Sequence, residues 1–219
     1  MNAEIEKFLL DRGADIVRFA DISALSAAQT QGFAGAVLFA VALSRKFVLA
    51  MADDVPAESD EFAEKEHACD ALADRLAEYI MQSGYRALSQ SEASNGRNGR
   101  FDGATRSSAL PHKTVALLAG LGYIGKNNLL VTEEYGCALS MCTVLTDAPV
   151  RAETRAPLPS KCGACDVCAG VCPTGAIRGR AWTPEGGRNA VVDVFKCTCA
   201  LKCMVHCPWT LRYAKRTNA

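Results

Sequence analysis

Four closely spaced cysteines in the last third of the chain carry its most informative chemistry. They stand in the run Cys162-Gly-Ala-Cys165-Asp-Val-Cys168-Ala-Gly-Val-Cys172-Pro173. The spacing C-x2-C-x2-C-x3-C-P is typical of [4Fe–4S] binding, in which the first three thiolates bind one cluster and the fourth binds a different cluster. The run therefore predicts a second cysteine motif elsewhere in the chain.

A second, irregular motif follows after a short insert. It consists of Cys197, Cys199, Cys203 and Cys207-Pro208. A regular copy would have its second cysteine at position 200, where the chain has Ala, and the nearest thiol is Cys199. We predict that cluster 1 is bound by Cys162, Cys165, Cys168 and Cys207, and cluster 2 by Cys172, Cys197, Cys199 and Cys203. Because of the shifted thiol, cluster 2 is either a distorted [4Fe–4S] cluster or a three-thiolate cluster that loses iron easily.

Zinc is the main alternative to iron–sulfur clusters as the metal that these eight thiols could bind. Structural zinc sites usually take two separated C-x2-C pairs that close one tetrahedron. Three cysteines in tandem followed by Cys-Pro do not suit that geometry, so the pattern favours iron–sulfur clusters. Disulfides are a weaker alternative, because we expect a cytoplasmic protein with reduced thiols.

Length and composition indicate a soluble protein with a sizeable apolar core. The chain has 219 residues, of which 49% are hydrophobic. Its N-terminus lacks the basic and apolar segments of a signal peptide. The longest apolar run, residues 33–43, is too short to cross a bilayer and predicts a buried strand instead. We therefore expect a cytoplasmic protein with no membrane contact.

Charge is unevenly distributed along the chain, although the formal net charge is zero. Residues 1–100 carry a net charge of −6 and residues 101–219 a net charge of +6. The excess of Lys and Arg either solvates the cysteine-rich region and balances anionic clusters, or forms a docking face for an acidic partner. No interleaving of aromatic and basic residues indicates a nucleic-acid site.

The order of predicted elements divides the chain into two domains, residues 1–150 and 151–219. In the first, we predict a helix capped by Asn2, strands over 16–22 and 34–43, a helix starting at 59–61 and ended by Gly84, and a helix over 111–119. Residues 148–160, with three prolines, form the predicted linker. The last ten residues form a polar, basic tail that we expect to be frayed.

Three further predictions concern loops and buried thiols. Residues 89–108, rich in Ser, Asn, Gly and Arg, predict a mobile loop over a site. The segments 128–132 and 137–146 predict a hairpin around Glu133-Glu134-Tyr135-Gly136. Cys69 lies on the apolar stripe of a helix, and Cys137 and Cys142 are too far apart on one strand to be bridged, so all three are predicted core thiols.

A glycine motif, Gly120-Leu-Gly122-Tyr-Ile-Gly125-Lys126, matches both the dinucleotide fingerprint G-x-G-x-x-G and, nearly, a phosphate loop. The fingerprint requires a strand before it and a helix after it, whereas here a predicted helix precedes and a predicted strand follows. Asn127 also replaces the magnesium-binding Ser or Thr of a phosphate loop. We therefore predict a tight turn whose amides face a cofactor, with Gly120, Gly122, Tyr123, Gly125 and Lys126 as its binding residues.

The combination of motifs resembles the epoxyqueuosine reductases and the related reductive dehalogenases. The resemblance rests on residues 119–126, the strand ending Leu145-Thr146-Asp147, the Cys162–Cys172 run followed by Pro-Thr-Gly-Ala-Ile177, and Cys203…Cys207-Pro-Trp209. It implies an α+β fold, namely a nitroreductase-like α/β domain followed by a ferredoxin-like double-cluster module. It also implies a corrinoid cofactor held without a protein histidine below the cobalt, with a flavin as the less favoured alternative.

Two features of that family are not found in the sequence. One is the Asp-Tyr-His element that supplies its proton donor, so the catalytic residue is unassigned, and Tyr123, Tyr135 and His112 are only guesses. The other is the C-terminal repeat region, and the resemblance is therefore to a short branch of the family.

The function expected from this resemblance is an iron–sulfur reductase that passes electrons through two [4Fe–4S] clusters to a corrinoid or a substrate. The alternative is a ferredoxin-like electron carrier that serves a partner protein and has no chemistry of its own. In either case we expect an electron donor of the ferredoxin or flavodoxin type. A small-molecule or nucleoside substrate is expected only for the reductase.

Overall fold

The computed structural model describes residues 1–56, 58–152 and 155–216. The chain forms two compact units whose segments alternate along the sequence. Unit 1 comprises residues 1–42, 62–121 and 140–157, and unit 2 comprises residues 43–61, 122–139 and 158–219. The division at residue 150 stays a prediction, and two segments that precede it, 43–61 and 122–139, belong to unit 2.

Unit 1 is built on a four-stranded sheet with the strand order β1-β2-β8-β3. Its strands are β1 (Ile16–Asp21), β2 (Gly35–Ala42), β3 (Ala87–Ser89) and β8 (Leu139–Thr146). Strands β1 and β2 are antiparallel, with Phe19 opposite Val37, and β3 is antiparallel to β8. Strand β2 is buried along almost its whole length, as its continuous apolar run predicts.

Helices α1 (Asn2–Leu10) and α4 (Glu61–Gln82) cover one face of this sheet. Leu9 of α1 and Leu76 of α4 pack with Phe39 of β2 in one apolar core. Helix α6 (His112–Leu118) also contacts β1 and β2. Leu38, which precedes Phe39 on β2 and so points to the opposite face of the sheet, is equally buried. The sheet is therefore covered on both faces.

The predicted N-cap of α1 is wrong. Helix α1 begins at Asn2 itself, and the Asn2 side chain instead bonds the backbone of Arg151, with Nδ2 donating to the Arg151 carbonyl and Oδ1 accepting from its amide. The other helix ends predicted from the sequence lie close to those in the structure. Gly84 lies two residues beyond α4 with φ of +87°, as a helix stop requires.

The segment predicted as a mobile loop, residues 89–108, is ordered into short elements. It contains α5 (Glu92–Arg97) and a hairpin of β4 (Phe101–Asp102) and β5 (Ser107–Ser108). The Ser91 hydroxyl caps α5 and donates to Asp74 of α4, and the amide of Glu92 donates to Asp70. Helix α4 therefore holds the start of α5, and the segment contains short regular elements that a loop prediction does not include; its mobility stays a prediction.

Unit 2 consists of short elements. Its first helix, α3 (Arg45–Ala52), packs against α8 (Lys202–Val205) and α9 (Pro208–Ala214). Helix α2 (Ala27–Thr30) belongs to unit 1. The other unit 2 elements are β6 (Tyr123–Ile124), β7 (Leu130–Val131), α7 (Val167–Gly170) and a 3₁₀ helix (Arg188–Ala190). The Tyr213 hydroxyl donates to the Leu43 carbonyl over 2.7 Å and ties the last helix to the first segment of the unit.

Two predictions about unit 2 need correction. Strand β7 pairs with β6, with Tyr123 opposite Val131, and the predicted hairpin with residues 137–146 is reduced to one bridge between Thr132 and Gly136. The C-terminal tail is not frayed up to Ala214, because α9 buries Thr210 and Tyr213. Residues 217–219, the end of the predicted tail, and residues 153–154 of the predicted linker lie outside the described residues.

No helix within residues 1–56, 58–152 and 155–216 is long and apolar enough to cross a membrane.

Candidate functional site

Four cysteines from the two motifs line one cavity in unit 2. The cavity has a volume of about 220 Å³, and its wall includes Cys162, Cys165, Cys168 and Cys207. These are the four thiols predicted for cluster 1, and Cys207 is 39 residues beyond Cys168 in the sequence. One thiolate per iron is what a [4Fe–4S] cluster takes, so the donor set of this cavity fits such a cluster.

The backbone around the first motif turns sharply enough to aim its thiols inward. The Cys165 amide donates to the Cys162 carbonyl over 2.9 Å, with Gly163 at φ +51° between them. Helix α7 then carries Cys168, which is 9% exposed. Its pKa is raised to about 11 by burial first, and then by the charges of Cys162, Cys207 and Cys165. All four thiols line the wall of the same cavity.

Cys207 occupies the N-cap position of α9, directly before Pro208. Its pKa is lowered to about 6, chiefly by a hydrogen bond from Cys137. Burial opposes the shift, and the amides of Trp209 and Thr210 reinforce it. The thiolate form, which is the metal ligand, is therefore favoured here.

The set predicted for cluster 2 is only partly assembled. The pKa of Cys203 is raised to about 12, first by burial and then by the charges of Cys197, Cys168 and Cys172. Cys172 and Cys203 both pack against the small apolar cluster that contains Cys168. Cys199 is exposed and has φ of +54°, a left-handed conformation that a cysteine seldom adopts. Its ligand role stays a prediction.

Cys172 is held by the short turn that follows it. Burial acts to raise the pKa of this thiol, but hydrogen bonds from Thr174, Ile177 and Ala176 outweigh it, and the net shift is downward. The turn is completed by the Gly175 amide, which donates to the Cys172 carbonyl. Hydrogen bonds to the sulfurs are one of the features that set cluster potentials.

The end of the glycine motif lines the same cavity as the cluster 1 cysteines. Gly125, Lys126 and Asn127 all contribute to its wall. The Lys126 ammonium forms an ion pair with Asp166, which stands between two of the cysteines, and this bond raises the pKa of Lys126. The glycine motif and the cysteine motifs, which the sequence presents as separate sites, therefore meet at one cavity.

The glycines of the motif pack tightly against the chain itself. A Cβ atom at Gly120 would lie 2.5 Å from Cδ of Arg155, and one at Gly122 would lie 2.3 Å from the carbonyl oxygen of Val131. At Gly125 the nearest atom is Oδ1 of Asn127, at 2.6 Å. Close approach within the chain accounts for all three glycines, so the cofactor contact predicted for them stays a prediction.

Tyr123 and Lys126 are both buried. Tyr123 is 2% exposed, and its hydroxyl has no hydrogen-bond partner within the described part of the chain. Burial raises its pKa, and the charges of Cys162 and Cys207 raise it further. Lys126 is 8% exposed. The cofactor contacts predicted for Tyr123 and Lys126 therefore stay a prediction as well.

Cys137 contributes to the site, although the sequence indicates only a core thiol. It is 3% exposed, and its Sγ accepts a hydrogen bond from Nδ2 of Asn127 over 3.4 Å. The pKa of Cys137 is raised well above its ordinary value, chiefly by interaction with Cys207 and then by burial. Nothing in the spacing of Cys137 distinguishes it from Cys69 and Cys142, which are buried in the core of unit 1 as predicted.

Across the described residues, no group of three or more His, Cys, Asp or Glu side chains is arranged to hold a single metal ion.

Unit 1 contains a separate polar cavity of about 830 Å³. Its wall combines carboxylates of α4 and α5, two histidines and two buried amides; the polar residues lining it are Glu66, His67, Asp70, Gln90, Glu92, Asn95, Ser108 and His112. Nε2 of Gln90 and Oδ1 of Asn95 are buried and lack a hydrogen-bond partner within the described ranges. Buried polar atoms are normally paired, so the two amides indicate a place for a polar ligand or ordered water.

Asp70 and His112 are the titratable groups most perturbed in this cavity. Burial raises the pKa of Asp70, which is half-buried and accepts the amide of Glu92. Burial lowers the pKa of His112 to about 4, and its Nδ1 lies 3.0 Å from the Thr143 hydroxyl. Asp70 is therefore protonated more readily than an ordinary aspartate, and His112 is a neutral imidazole near pH 7.

Sequence reasoning missed the residues of this cavity. Gln90 and Asn95 lie in the polar stretch that predicts a loop, and nothing in their types reveals that they are buried. Asp70 and His67 stand three residues apart on α4, which places them on one helix face but is equally common on solvated helices. Of the three guessed proton donors, only His112 lines this cavity.

A family described as 4Fe-4S binding domain matches residues 158–178, which contain the whole first cysteine motif. Curated relatives match over longer stretches. The chain is 42% identical over 65 residues to an epoxyqueuosine reductase of Listeria monocytogenes, which is 30% of this chain and 17% of that protein. It is 32% identical over 126 residues to that of Atelocyanobacterium thalassa, covering 50% of this chain and 40% of the relative. The chain thus spans well under half the length of these relatives.

Solved structures extend the similarity to almost the whole chain. A catabolic reductive dehalogenase aligns with a TM-score of 0.73 at 22% identity, covering 97% of this chain and 33% of that one. The epoxyqueuosine reductase of Streptococcus thermophilus aligns with a TM-score of 0.59 at 17% identity, covering 96% and 66%. At these identities the likeness shows the fold. The predicted α+β fold with a ferredoxin-like region is confirmed, and so is the resemblance: the chain carries a 4Fe–4S binding domain and is similar to epoxyqueuosine reductases and reductive dehalogenases.

Proposed function

We propose that the chain is an iron–sulfur oxidoreductase that carries electrons through two [4Fe–4S] clusters. The observation that carries this proposal is the cavity lined by Cys162, Cys165, Cys168 and Cys207, because one cluster site is completed by a thiol from a second motif. When each motif gives its last cysteine to the cluster of the other motif, two clusters are formed. The second cluster would take the remaining thiols, which are those of Cys172, Cys197, Cys199 and Cys203.

Electrons enter at cluster 2 in this proposal. Cys197 and Cys199 are exposed, and the neighbouring Phe195 is 62% exposed beside Lys196. An exposed apolar and basic edge is suited to a transient redox partner with an acidic face, such as a ferredoxin or flavodoxin. Cys168 interacts electrostatically with Cys203 as well as with its own set, so the two clusters would lie near each other in unit 2.

The polar cavity of unit 1 is the proposed substrate site. Its carboxylates and unpaired amides suit a small, polar molecule that donates hydrogen bonds, such as a nucleoside or an amine. Reduction by two electrons also consumes two protons, and Asp70 is the carboxyl whose raised pKa favours holding one. A pure electron carrier has no need of this cavity, which is why a reductase is preferred to the carrier alternative.

The acceptor between clusters and substrate is proposed to be a corrinoid, with a flavin as the alternative. Support comes from the fold, because one structurally similar protein, with a TM-score of 0.69, is a reductive dehalogenase described as B12-dependent. A corrinoid would supply a strongly reducing cobalt. The turn formed by Gly120, Gly122, Tyr123, Gly125 and Lys126 is the part of the chain proposed to face it.

Metal analysis and cofactor titration test the proposal. The protein is reconstituted anaerobically with iron and sulfide, its iron and zinc are measured, and cobalamin or flavin is then added while the visible spectrum is recorded. We expect about eight irons per chain and the spectral change of a base-off corrinoid. Zinc without iron would contradict the whole proposal, whereas iron without corrinoid or flavin binding would leave the electron-carrier function.

Substitution of Asp70 tests the substrate site. Asp70→Asn keeps a carbonyl oxygen to accept the Glu92 amide but cannot hold the proton. In an assay of substrate reduction by the loaded protein, we expect Asp70→Asn to lose most of the turnover while the iron content stays at its wild-type value. Glu64→Gln, an exposed carboxyl on the same helix, is the matched control and should leave both unchanged.

A further inference from the structure

The two buried side-chain amides of the unit 1 cavity each keep one polar atom without a partner. Gln90 is 1% exposed and Asn95 is 7% exposed, and both residues line the cavity of about 830 Å³. Within the described parts of the chain, Nε2 of Gln90 and Oδ1 of Asn95 have no hydrogen-bond partner. An unpaired buried donor or acceptor costs free energy, and a ligand that pairs with both atoms recovers it.

The orientation of the Gln90 side-chain amide is set by Arg100. Nη2 of Arg100 donates to Oε1 of Gln90 over 3.3 Å and to the carbonyl oxygen of Gln29 over 2.8 Å. A guanidinium group has donors only, so the Gln90 atom that accepts from it must be the oxygen. Arg100 is itself 5% exposed, which keeps this contact out of water. The unpaired atom of Gln90 is therefore the nitrogen, which is a donor.

The orientation of the Asn95 side-chain amide is set by the backbone. Nδ2 of Asn95 donates to the carbonyl oxygen of Gln90 over 2.8 Å. A carbonyl oxygen only accepts, so the Asn95 atom that bonds it must be the nitrogen, and the unpaired atom is the acceptor Oδ1. The backbone N–H of Gln90 donates to the Thr143 carbonyl over 2.9 Å, and that of Asn95 to the Ser91 carbonyl over 2.8 Å. Both side chains therefore start from a hydrogen-bonded backbone.

We propose that Gln90 and Asn95 together bind an amide group of the cavity's ligand, with Nε2 of Gln90 donating to its carbonyl oxygen and Oδ1 of Asn95 accepting from its N–H. One free donor and one free acceptor complement a –CO–NH– edge, which open carboxamides and cyclic lactams share. A carboxylate has no N–H for Asn95, and an amidinium has no acceptor for Gln90. Arg100 is a positioning residue, because it acts through Gln90. The inference names the substrate class of the proposed site in unit 1 and rests on that proposal.

Binding of simple amides to the reconstituted full chain tests the inference. Isothermal titration calorimetry is carried out with benzamide, an open carboxamide, and with isoindolinone, a cyclic lactam, at the millimolar concentrations that small fragments need. The fully N-methylated form of each amide keeps the carbonyl but has no N–H, and benzoate has no N–H either. These comparisons use the wild type alone and do not depend on the folding of a variant.

Two variants with the same amide-to-carboxylate change complete the test. Gln90→Glu keeps an oxygen for Arg100 but removes the donor. Asn98→Asp is the matched control, because the Asn98 amide also donates to a backbone carbonyl, that of Ser94, but Asn98 is exposed and does not line the cavity. Circular dichroism verifies the fold of both variants.

We expect the wild type to bind an amide about tenfold more tightly than its N-methylated form or benzoate, and Gln90→Glu to weaken that binding about tenfold. Asn98→Asp should bind as the wild type does. Tighter binding of isoindolinone would assign a lactam, and tighter binding of benzamide an open carboxamide.

Three results would overturn the inference: equal binding of the amides and their N-methylated forms, no binding of either amide, or unchanged binding in a folded Gln90→Glu variant. The two unpaired atoms would then be left to ordered water. The iron content of the same wild-type sample is measured separately. A sample without iron would contradict the proposed clusters, whereas a sample with its full iron content that fails to distinguish the amides would contradict the inference alone.

Discussion

The side chains of Lys126 and Asp166 form an ion pair, with 2.8 Å between Nζ and Oδ1. Lys126 ends the glycine motif and Asp166 lies between Cys165 and Val167 in the first cysteine motif, at the N-cap of α7. The Lys126 side chain is only 9% exposed, while that of Asp166 is 66% exposed. A cation is therefore held almost out of water beside the cluster 1 cavity, which Lys126 also lines.

Removing this buried cation should make cluster 1 harder to reduce. Reduction adds negative charge, and a positive group in a medium of low polarity stabilises it. We expect Lys126→Gln to shift the midpoint potential of cluster 1 to a more negative value, and Lys126→Arg to keep it close to that of the wild type. The measurement is a redox titration of the reconstituted proteins. Equal potentials for the Gln and Arg variants would contradict this electrostatic role.

Cys199 provides a test of the irregular second motif. If Cys199 binds cluster 2, Cys199→Ala should lower the iron content, with cluster 2 lost or reduced to a three-thiolate form, and should leave the signal of cluster 1 intact. Cys142→Ala is the control, because that thiol lies in the core of unit 1. Iron content and electron paramagnetic resonance report both effects. An unchanged iron content and spectrum would remove Cys199 from the ligand set.

Gly136→Ala should destabilise the protein far more than a typical glycine substitution. Its φ of +58° disfavours a side chain, and the new Cβ would lie 2.3 Å from the Thr210 nitrogen and 2.5 Å from its Cα. We expect a loss of about 3 kcal/mol of unfolding free energy, combining backbone strain with a backbone clash. Gly84, at φ +87° with nothing within 4 Å, is the matched control.

Thermal denaturation compares the two glycine variants. Gly84→Ala should lose only about 1 to 2 kcal/mol, the strain of the left-handed conformation. Gly136→Ala should also lose the iron of cluster 1, because the start of α9 carries Cys207. Similar melting temperatures for the two variants would contradict this prediction, because α9 would then move away from the new side chain without loss of stability.

His112 should make the protein sensitive to acid. Burial lowers its pKa from 6.5 to about 4, so the folded state favours the neutral ring. The stabilisation is complete above pH 6.5 and is lost as the pH falls toward 4, because the unfolded chain binds the proton first. His112→Gln does not titrate in this range. Its melting temperature should therefore rise relative to that of the wild type as the pH is lowered from 7 to 4.

Asp70, on the same cavity, titrates in the opposite sense, because its raised pKa favours the protonated form in the folded state. It is present in both proteins, so its contribution cancels in the comparison of His112→Gln with the wild type. A difference in melting temperature that stays constant between pH 7 and pH 4 would show that His112 titrates normally.

Apolar patterning predicted the core of unit 1 well. The continuous apolar run over 34–43 became β2, and the stripe containing Cys69, Leu72 and Leu76 became the buried face of α4. These elements follow from local periodicity, which the sequence displays directly. The predicted order of a helix, the glycine motif and a strand is also confirmed, with α6 before the motif and β7 after it.

The errors arose where long-range contacts decide local structure. Residues 89–108 look solvated, yet Asp70 and Asp74 of α4 hold the start of α5, and Arg100 donates to the Gln29 carbonyl. Strand β7 pairs with β6, which lies inside the glycine motif, and not with β8. Each of these two strands has only two residues, which is too short for a sequence pattern to predict its pairing partner. Cys137 is predicted as a core thiol, because the bond from its amide to Thr210, 73 residues away, leaves no local signal in the sequence.

The most direct test of the central claim is whether Cys207 and Cys165 serve the same cluster. Iron content and electron paramagnetic resonance are measured after anaerobic reconstitution of the wild type, Cys165→Ala, Cys207→Ala and the double variant. Shared ligation predicts about eight irons in the wild type, loss of the same signal in each single variant, and no further loss in the double variant. Loss of two different signals, with additive loss of iron in the double variant, would contradict it.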